Sequence, residues 1–312
     1  MKGIRIGVSL GELGATAGDL GATVEQFRQA EEAGFHTAWV PNIFGLDALT
    51  LLALAGGRTA RIELGTAVVP TYSRHPFYMA QQAISTSVAC GGRLALGLGP
   101  SHKVVIEGML GLSFDQVARH VEEYVGVVKS LVDTGKVAFQ GKVYRVNGAL
   151  TVGGAKPFPV LIGGLGPRMR RIAGGLADGT ITWMTGPRTV ETQLRPDMEA
   201  AAKAAGRAGP VRIVCGLPIV VTSDPAGARE AANKAFAIYG QLPSYRAMLD
   251  LEGAAGPGDV AIAGDEREIE RRLEGLAAAG VTDFNAAIFP FGPDPAGALR
   301  RTYDVLAELA RR

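Results

Sequence analysis

The chain has 312 residues, 47% of them hydrophobic, and a formal net charge of +2. Near-neutral charge without basic blocks argues against nucleic acid or a membrane surface as partner, and the length suits one α/β barrel of about 250 residues plus insertions. No apolar run is long enough to span a bilayer, and the apolar part of the N-terminal segment is too short for a signal-peptide core, so a cytoplasmic protein with one domain over 1–312 is expected.

Ile4 to Leu10 reads as a first buried strand. A Gly-rich loop follows, then Leu20 to Ala33, whose apolar positions recur at helical spacing and stop at Gly34. Phe35 to Val40 is a second strand, closed by Pro41-Asn42, and Leu46 to Ala55 is an apolar helix ended by Gly56-Gly57. Ile62 to Val69 is the third strand, Pro76 starts a helix that runs to the region of Cys90, and Arg93 to Leu98 is the fourth strand. Phe114 to Val132 fits a long helix. Over 137–153 two β-rich arms flank Gln140-Gly141, the pattern of a surface hairpin inserted between units.

Pro159 to Gly163 is the fifth strand, with Pro167 to Leu176 as its helix. Gly179 to Met184 is the sixth, followed by a helix from Pro187 into the Ala-rich 199–205 stretch. Val211 to Val221 is the seventh, and Pro225 to Tyr239 its helix. Residues 242–264, with Pro243, Gly253, Gly256, Pro257 and Gly258, read as an excursion or lid. Glu266 to Ala278 is helical, Thr282 to Phe289 is the eighth strand, and Pro295 to Ala310 is the closing helix.

Strands alternating with helices imply parallel pairing through right-handed crossovers, and eight such units favour a closed TIM (β/α)8 barrel over an open doubly wound sheet. In such barrels the site lies at the C-terminal strand ends. That rule selects Glu12 with the 11–18 loop, Asn42, Ile43, Ala67, Val68, Thr71, Tyr72, Arg74 and His75. It also selects Gly97, Gly99, Ser101, His102, Lys103, the 163–166 segment, Trp183, Met184, Thr185, Phe289 and Phe291. Trp183 and Met184 are strand neighbours and cannot both point inward.

Two glycine clusters stand out. The fourth strand stops at Gly97 and Gly99 and opens onto Pro100-Ser101-His102-Lys103. Glycine at a strand end marks a close approach to the backbone; a flat, extended ligand is one reading and a tight turn the other. The segment is no pyrophosphate cradle, because His102 stands where GxGxxG needs glycine and Pro100 lacks an N–H. The second cluster, Ile162-Gly-Gly-Leu-Gly-Pro-Arg168, leads into a helix whose free N–H groups suit an anion, with Arg168, Arg170 and Arg171 behind. A plain helix start with solvated arginines is the alternative.

Of the four histidines, His36 falls at a strand start on the far face, His120 on a helix face expected to be solvated, and His75 at a helix start before Pro76. His102 remains as the acid–base candidate. Acid clusters, HxH pairs and a GxSxG elbow are missing from the strand ends, so a metal site or a nucleophilic serine is not expected. An apolar, aromatic, glycine-lined face suits a planar cofactor that carries the chemistry itself. Cys90 and Cys215 sit in apolar segments and read as inert core thiols.

Leu64-Gly-Thr-Ala-Val-Val-Pro70 with Arg74-His-Pro76, Arg93 to Gly99, Ile162 to Arg168 with Ala177-Asp-Gly179, and the Tyr144 hairpin follow one another in a telling order. Together they resemble the bacterial-luciferase-like flavin and deazaflavin oxidoreductases, and within them the coenzyme F-420-dependent branch. The resemblance implies a barrel with insertions, coenzyme F-420 (an 8-hydroxy-5-deazaflavin) as cofactor, and hydride transfer between it and a small organic substrate. It further implies a cofactor site of Asn42, Ala67, Val68, Gly97, Leu98, Gly99, Pro100, Gly163, Gly164, Leu165, Gly166 and Arg168. A non-prolyl cis peptide at Ala67–Val68 and a catalytic His102 belong to the same expectation. Relatives that oxidise sugar phosphates carry an acidic residue at the position of His102 and an Asp-His pair near Pro41-Asn42-Ile43. This chain departs at both, which disfavours that reaction and favours a reductase. An FMN-dependent monooxygenase and a non-catalytic flavin-binding barrel are the alternatives, and a homodimer is among the expectations, since relatives are often dimers.

Overall fold

The computed structural model describes residues 3–11, 18–207 and 209–312; Glu12 and the rest of 12–17 lie outside the described residues. Among the described residues twelve strands are formed in chain order: β1 (Arg5–Ser9), β2 (Thr37–Val40), β3 (Glu63–Thr66), β4 (Val69–Pro70), β5 (Leu94–Gly99), β6 (Lys136–Gln140), β7 (Arg145–Ala149), β8 (Val160–Ile162), β9 (Gly179–Trp183), β10 (Arg212–Val221), β11 (Ile262–Gly264) and β12 (Asp283–Ile288). The helices are α1 (Leu20–Ala33), α2 (Ala48–Gly56), α3 (Pro76–Ala89), α4 (Lys103–Ile106), α5 (Val117–Thr134), α6 (Pro167–Gly175), α7 (Pro187–Thr189), α8 (Arg195–Ala204), α9 (Pro225–Ala235), α10 (Ala237–Gln241), α11 (Pro243–Glu252), α12 (Pro257–Val260), α13 (Glu266–Ala279) and α14 (Pro295–Arg311).

Parallel pairing runs β1–β2–β3–β5–β8–β9–β10–β12 and returns from β12 to β1, which closes the eight-stranded barrel that the alternation of strands and helices predicted. Side chains alternate across each strand. Leu94, Leu96 and Leu98 of β5 face the helices and belong to the outer core, whereas Ala95 joins Trp39, Leu161, Ile181 and Val214 in a separate cluster inside the barrel. Helix boundaries follow local chemistry. Asp19, Asp47, Asp224, Asp265 and Asp294 accept backbone N–H bonds at N-caps, and Gly34, Gly135, Gly253 and Gly280 close C-termini in the left-handed conformation.

The N-terminal mouth is closed by charge. Arg212, at the start of β10, holds the buried Asp283 of β12 with two bonds of 3.0 and 2.7 Å. It also pairs with Glu63 of β3. Arg5 of β1 adds contacts of 3.2 Å to Asp283 and 3.4 Å to Glu63. The Arg212 guanidinium lies 5.5 Å over the Trp39 ring. Burial alone lowers the pKa of an arginine, but the two carboxylates outweigh it and raise that of Arg212.

Several elements differ from the sequence reading. The third strand is two pieces, β3 and β4, separated by Ala67–Val68. The helix expected from Phe114 starts at Val117, because Gln116 takes a left-handed conformation, with φ of 52°. The run from Pro187 is interrupted by a π turn over Val190–Leu194, and the helix from Pro225 breaks between α9 and α10. The excursion expected over 242–264 is α11 and α12, and its last part is no lid: β11 pairs with Ile219–Val221 and extends the sheet. The hairpin is formed by β6 and β7 as expected. No helix among the described residues is long and apolar enough to cross a membrane.

Asp283 is the one carboxylate of the network with almost no solvent contact, so removing its main partner leaves an uncompensated buried charge. Arg212→Met is expected to cost about 3–5 kcal/mol of stability in urea unfolding, while Arg5→Ala, on a half-exposed partner, costs less than about 1 kcal/mol.

Candidate active site

At the opposite mouth, β3 bends toward β5. Thr66 Oγ1 accepts from Gly97 N at 2.9 Å and donates to Gly97 O at 2.8 Å. Ala67 N then bonds Val40 O at 2.7 Å, and the Ala67–Val68 peptide is cis, as the resemblance implied. A side chain on Gly97 would land on the Thr66 carbonyl, and a Cβ on Gly99 would stand 2.6 Å from Val68 Cγ2. The same Val68 side chain lies 3.4 Å from where a Gly163 Cβ would be. Gly97 and Gly99 are thus bare at least to admit the chain's own Thr66 and Val68. Ala67 and Val68 are half-buried and packed on the inner apolar cluster, and they form an apolar ledge.

His102 is the N-cap residue of the four-residue α4, yet its ring caps nothing. It is half-buried, and that burial lowers its pKa below the ordinary histidine value, so the neutral ring prevails at neutral pH. Its ring centroid lies 5.6 Å from that of Tyr245 in α11, so the front part of the 242–264 excursion does reach the mouth. From there aromatic rings continue: Tyr245 to Tyr239 at 5.2 Å, Tyr239 to Trp183 at 5.7 Å, Trp183 to Phe236 at 5.7 Å and Phe236 to Phe289 at 6.2 Å. Of the two strand neighbours, Trp183 joins this wall and Met184 turns into the outer core.

Other expected site residues are engaged elsewhere. Asn42 Oδ1 accepts from Ala48 N at 3.0 Å and so serves the start of α2. Arg74 pairs with Asp47, and His75 caps α3 through Phe77 N at 3.3 Å. Arg168 is exposed and paired with Glu122 at 2.7 Å, while the buried Arg170 bonds Asp197 and Leu165 O. Arg170 is thus taken up inside the fold, whereas Arg168 gives one of its N–H groups to Glu122 on the surface. The α6 N-terminus itself is accessible: Gly166 is exposed, and a Cβ added there would meet nothing within 4 Å. His36 accepts from Ile6 N at the far end, as its position predicted. Both cysteines are buried, and burial pushes Cys90 up to about 11 and Cys215 up to about 12. No group of three metal-ligating side chains occurs among the described residues.

His120 is the clearest correction. It is buried, not solvated, with Nε2 2.8 Å from Thr71 Oγ1 and Nδ1 3.2 Å from Tyr144 Oη. Tyr72 stacks on the ring at 3.9 Å. The neutral ring donates through one nitrogen and accepts at the other in this pair of bonds. Glu123 fixes the same hairpin from the next position of α5, accepting from Lys142 N, Val143 N and Tyr144 N at 3.0, 2.7 and 2.9 Å. Thr71 and Tyr72, expected at the mouth, therefore support the hairpin.

A parallel barrel carries its site at the C-terminal mouth, and here that mouth holds an apolar ledge, an aromatic wall and a histidine whose ring caps nothing. The chain belongs to the luciferase-like monooxygenase family, whose description matches residues 5–296, and it is an oxidoreductase of that group. It is 27% identical over 299 residues to the 5,10-methylenetetrahydromethanopterin reductase of Methanolobus tindarius, covering 87% of this chain and 91% of the relative. It is 30% identical over 253 residues to a Mycobacterium tuberculosis protein provisionally named a coenzyme F-420-dependent oxidoreductase, covering 76% and 72%. The fold matches the coenzyme F-420-dependent tetrahydromethanopterin reductase of Methanopyrus kandleri with a TM-score of 0.79 at 23% identity, over 98% of this chain and 97% of that one.

Two outcomes follow from these contacts. Burial pushes the pKa of His120 down to about 4 from an ordinary 6.5. The unfolded chain therefore takes up a proton below pH 6.5 that the folded chain refuses, and about 3 kcal/mol of stability is lost as pH falls from 6.5 to 4. Denaturant midpoints should show that slope, and His120→Phe should remove it. Separately, Gly99→Ala is expected to cost about 1–3 kcal/mol by overpacking against Val68, with most of the loss recovered in the Gly99→Ala, Val68→Ala double variant.

Proposed function

We propose that the chain is a coenzyme F-420-dependent oxidoreductase that works as a reductase, passing hydride from the reduced deazaflavin to a small organic acceptor. The observation that carries this reading is His102, half-buried in the loop after β5, engaged by no cap and held against Tyr245. The names of the two curated relatives support it.

The residues fit the cofactor. Ala67 and Val68 offer an apolar platform the width of a ring edge, and the N–H groups that open α6 beside Gly166 offer an anion contact for a phosphate-bearing tail. The helix dipole adds to that contact, and the exposed Arg168, whose pair with Glu122 uses one of its N–H groups, can turn to it. When bound, the deazaflavin supplies a carbon hydride donor that activates oxygen poorly. The chain supplies the remainder: His102 holds one ring N–H toward the opening and can give it to an acceptor, and the aromatic wall through Tyr245, Tyr239 and Trp183 excludes water from that side. Exposed Phe44, Val104, Met109 and Leu110 on the loops after β2 and β5 favour an apolar acceptor.

Fluorescence titration with oxidised F-420 should show saturable binding, and FMN should not compete. In stopped-flow oxidation of reduced F-420 by an acceptor found by screening, His102→Ala should slow turnover by roughly a hundredfold with the cofactor Kd unchanged. Tight FMN binding without F-420 binding would instead establish the monooxygenase reading.

A further inference from the structure

Strand β12 turns Asp283, Asn285 and Ala287 toward the barrel axis, because alternate residues share a face. Asp283 lies in the ion network and is saturated by Arg212 and by Thr282 Oγ1 at 2.7 Å. Asn285 stands one inward position higher and is only 5% exposed. Its register partners on both sides are glycines, Gly7 of β1 and Gly216 of β10; Thr37 Oγ1 leans over Gly7 but accepts from Trp39 Nε1 at 2.8 Å and makes no bond to Asn285 Oδ1. Gly216 in turn pairs with Trp183 of β9, and a Cβ there would stand 3.1 Å from Trp183 Cε3 and 3.6 Å from Asn285 Nδ2. One layer of the barrel thus carries two polar side chains with an empty position between them.

Both are unsatisfied. Asn285 Oδ1 and Trp183 Nε1 are buried and have no hydrogen-bond partner. Buried polar atoms are nearly always paired, and the ion network directly below shows this barrel pairing its own. The neighbouring inward residues Ile181 and Val214 are apolar and offer no bond. What enters through the mouth can.

We propose that Asn285 and Trp183 are ligand-positioning residues: the carboxamide reads a cyclic amide edge, an N–H beside a C=O, on a planar heterocycle that enters the barrel edge first, and the indole N–H donates to a further acceptor on it. The proposal rests on the cofactor reading only for the ligand's identity. A deazaflavin carries such an edge on its pyrimidinedione ring, and a heterocyclic substrate could carry the same one.

The test uses the full chain and the variants Asn285→Leu and Trp183→Phe. Oxidised F-420 is titrated by its own fluorescence, lumazine (a pteridinedione with the same edge) is titrated into free and F-420-loaded protein, and the Tm of the ligand-free proteins is measured. Each variant is expected to weaken binding of one ligand by roughly tenfold or more. Asn285→Leu is expected to raise the ligand-free Tm by about 2–4 °C, because it removes a buried unpaired group that a purely structural residue would not leave unpaired. Weakened F-420 binding assigns the edge to the cofactor; unchanged F-420 binding with weakened lumazine binding to the loaded protein assigns it to the substrate. Equal affinities of all three proteins for both ligands overturn the proposal, as does a lowered Tm of Asn285→Leu without any change in affinity. If the wild-type chain binds no F-420, the cofactor reading falls, and the lumazine titration of the free proteins decides this proposal alone, with absent or equal binding overturning it.

Discussion

The reciprocal hydrogen bonds between Thr66 and Gly97 set the geometry of the whole C-terminal mouth. They draw the end of β3 across the inner face of β5, so that Val68 projects over Gly97, Gly99 and Gly163. A side chain at Gly99 would compete with Val68 for the same space, one at Gly97 would meet the Thr66 carbonyl, and one at Gly163 would rest against Val68 in ordinary contact. Glycines far apart in sequence thus surround one bend, and the apolar ledge sits where β3 crosses β5.

The two ends of the barrel use polar groups in opposite ways. At the N-terminal end Arg5, Glu63, Arg212 and Asp283 satisfy one another, and their geometry excludes any visitor. Toward the other end the inward side chains become apolar or aromatic, and the polar atoms that remain, at Asn285 and Trp183, go without partners. Polar satisfaction contributes to stability where it occurs, so the fold is secured from below and left incomplete above. That polarity, more than any single residue, distinguishes the two ends of the barrel.

The barrel was legible because its strands are short apolar runs bounded by Gly and Pro and separated by amphipathic helices, a pattern with few topological solutions. The site was legible only in part. His102 and the Ala67–Val68 bond came from position and motif, but the role of Gly97 and Gly99 did not, because sequence shows that backbone is approached and not by what. His120 carried a usable signal: it shares the helical stripe of Val117, Val121, Tyr124 and Val128, and its residue type obscured its spacing. Tyr239 and Tyr245 come from the segment after β10 and meet His102 and Trp183 only through tertiary packing, which no local pattern reports. Asn285 was readable as the polar residue in an otherwise apolar half-strand, and the local bonds of Asn42 and Arg168, to the start of α2 and to Glu122, were not, because side chains at strand ends also cap helices and pair on the surface.

The placement of Tyr245 has an evolutionary consequence. It reaches the mouth from α11, which begins after Leu242, ends at the left-handed Gly253, and contributes no strand to the closure of the barrel. Insertions, deletions or exchanges within that segment leave every strand register intact while changing the wall that faces His102. A lineage built on this scaffold can thus exchange acceptors by rewriting one short helix, while the barrel and the ledge stay as they are.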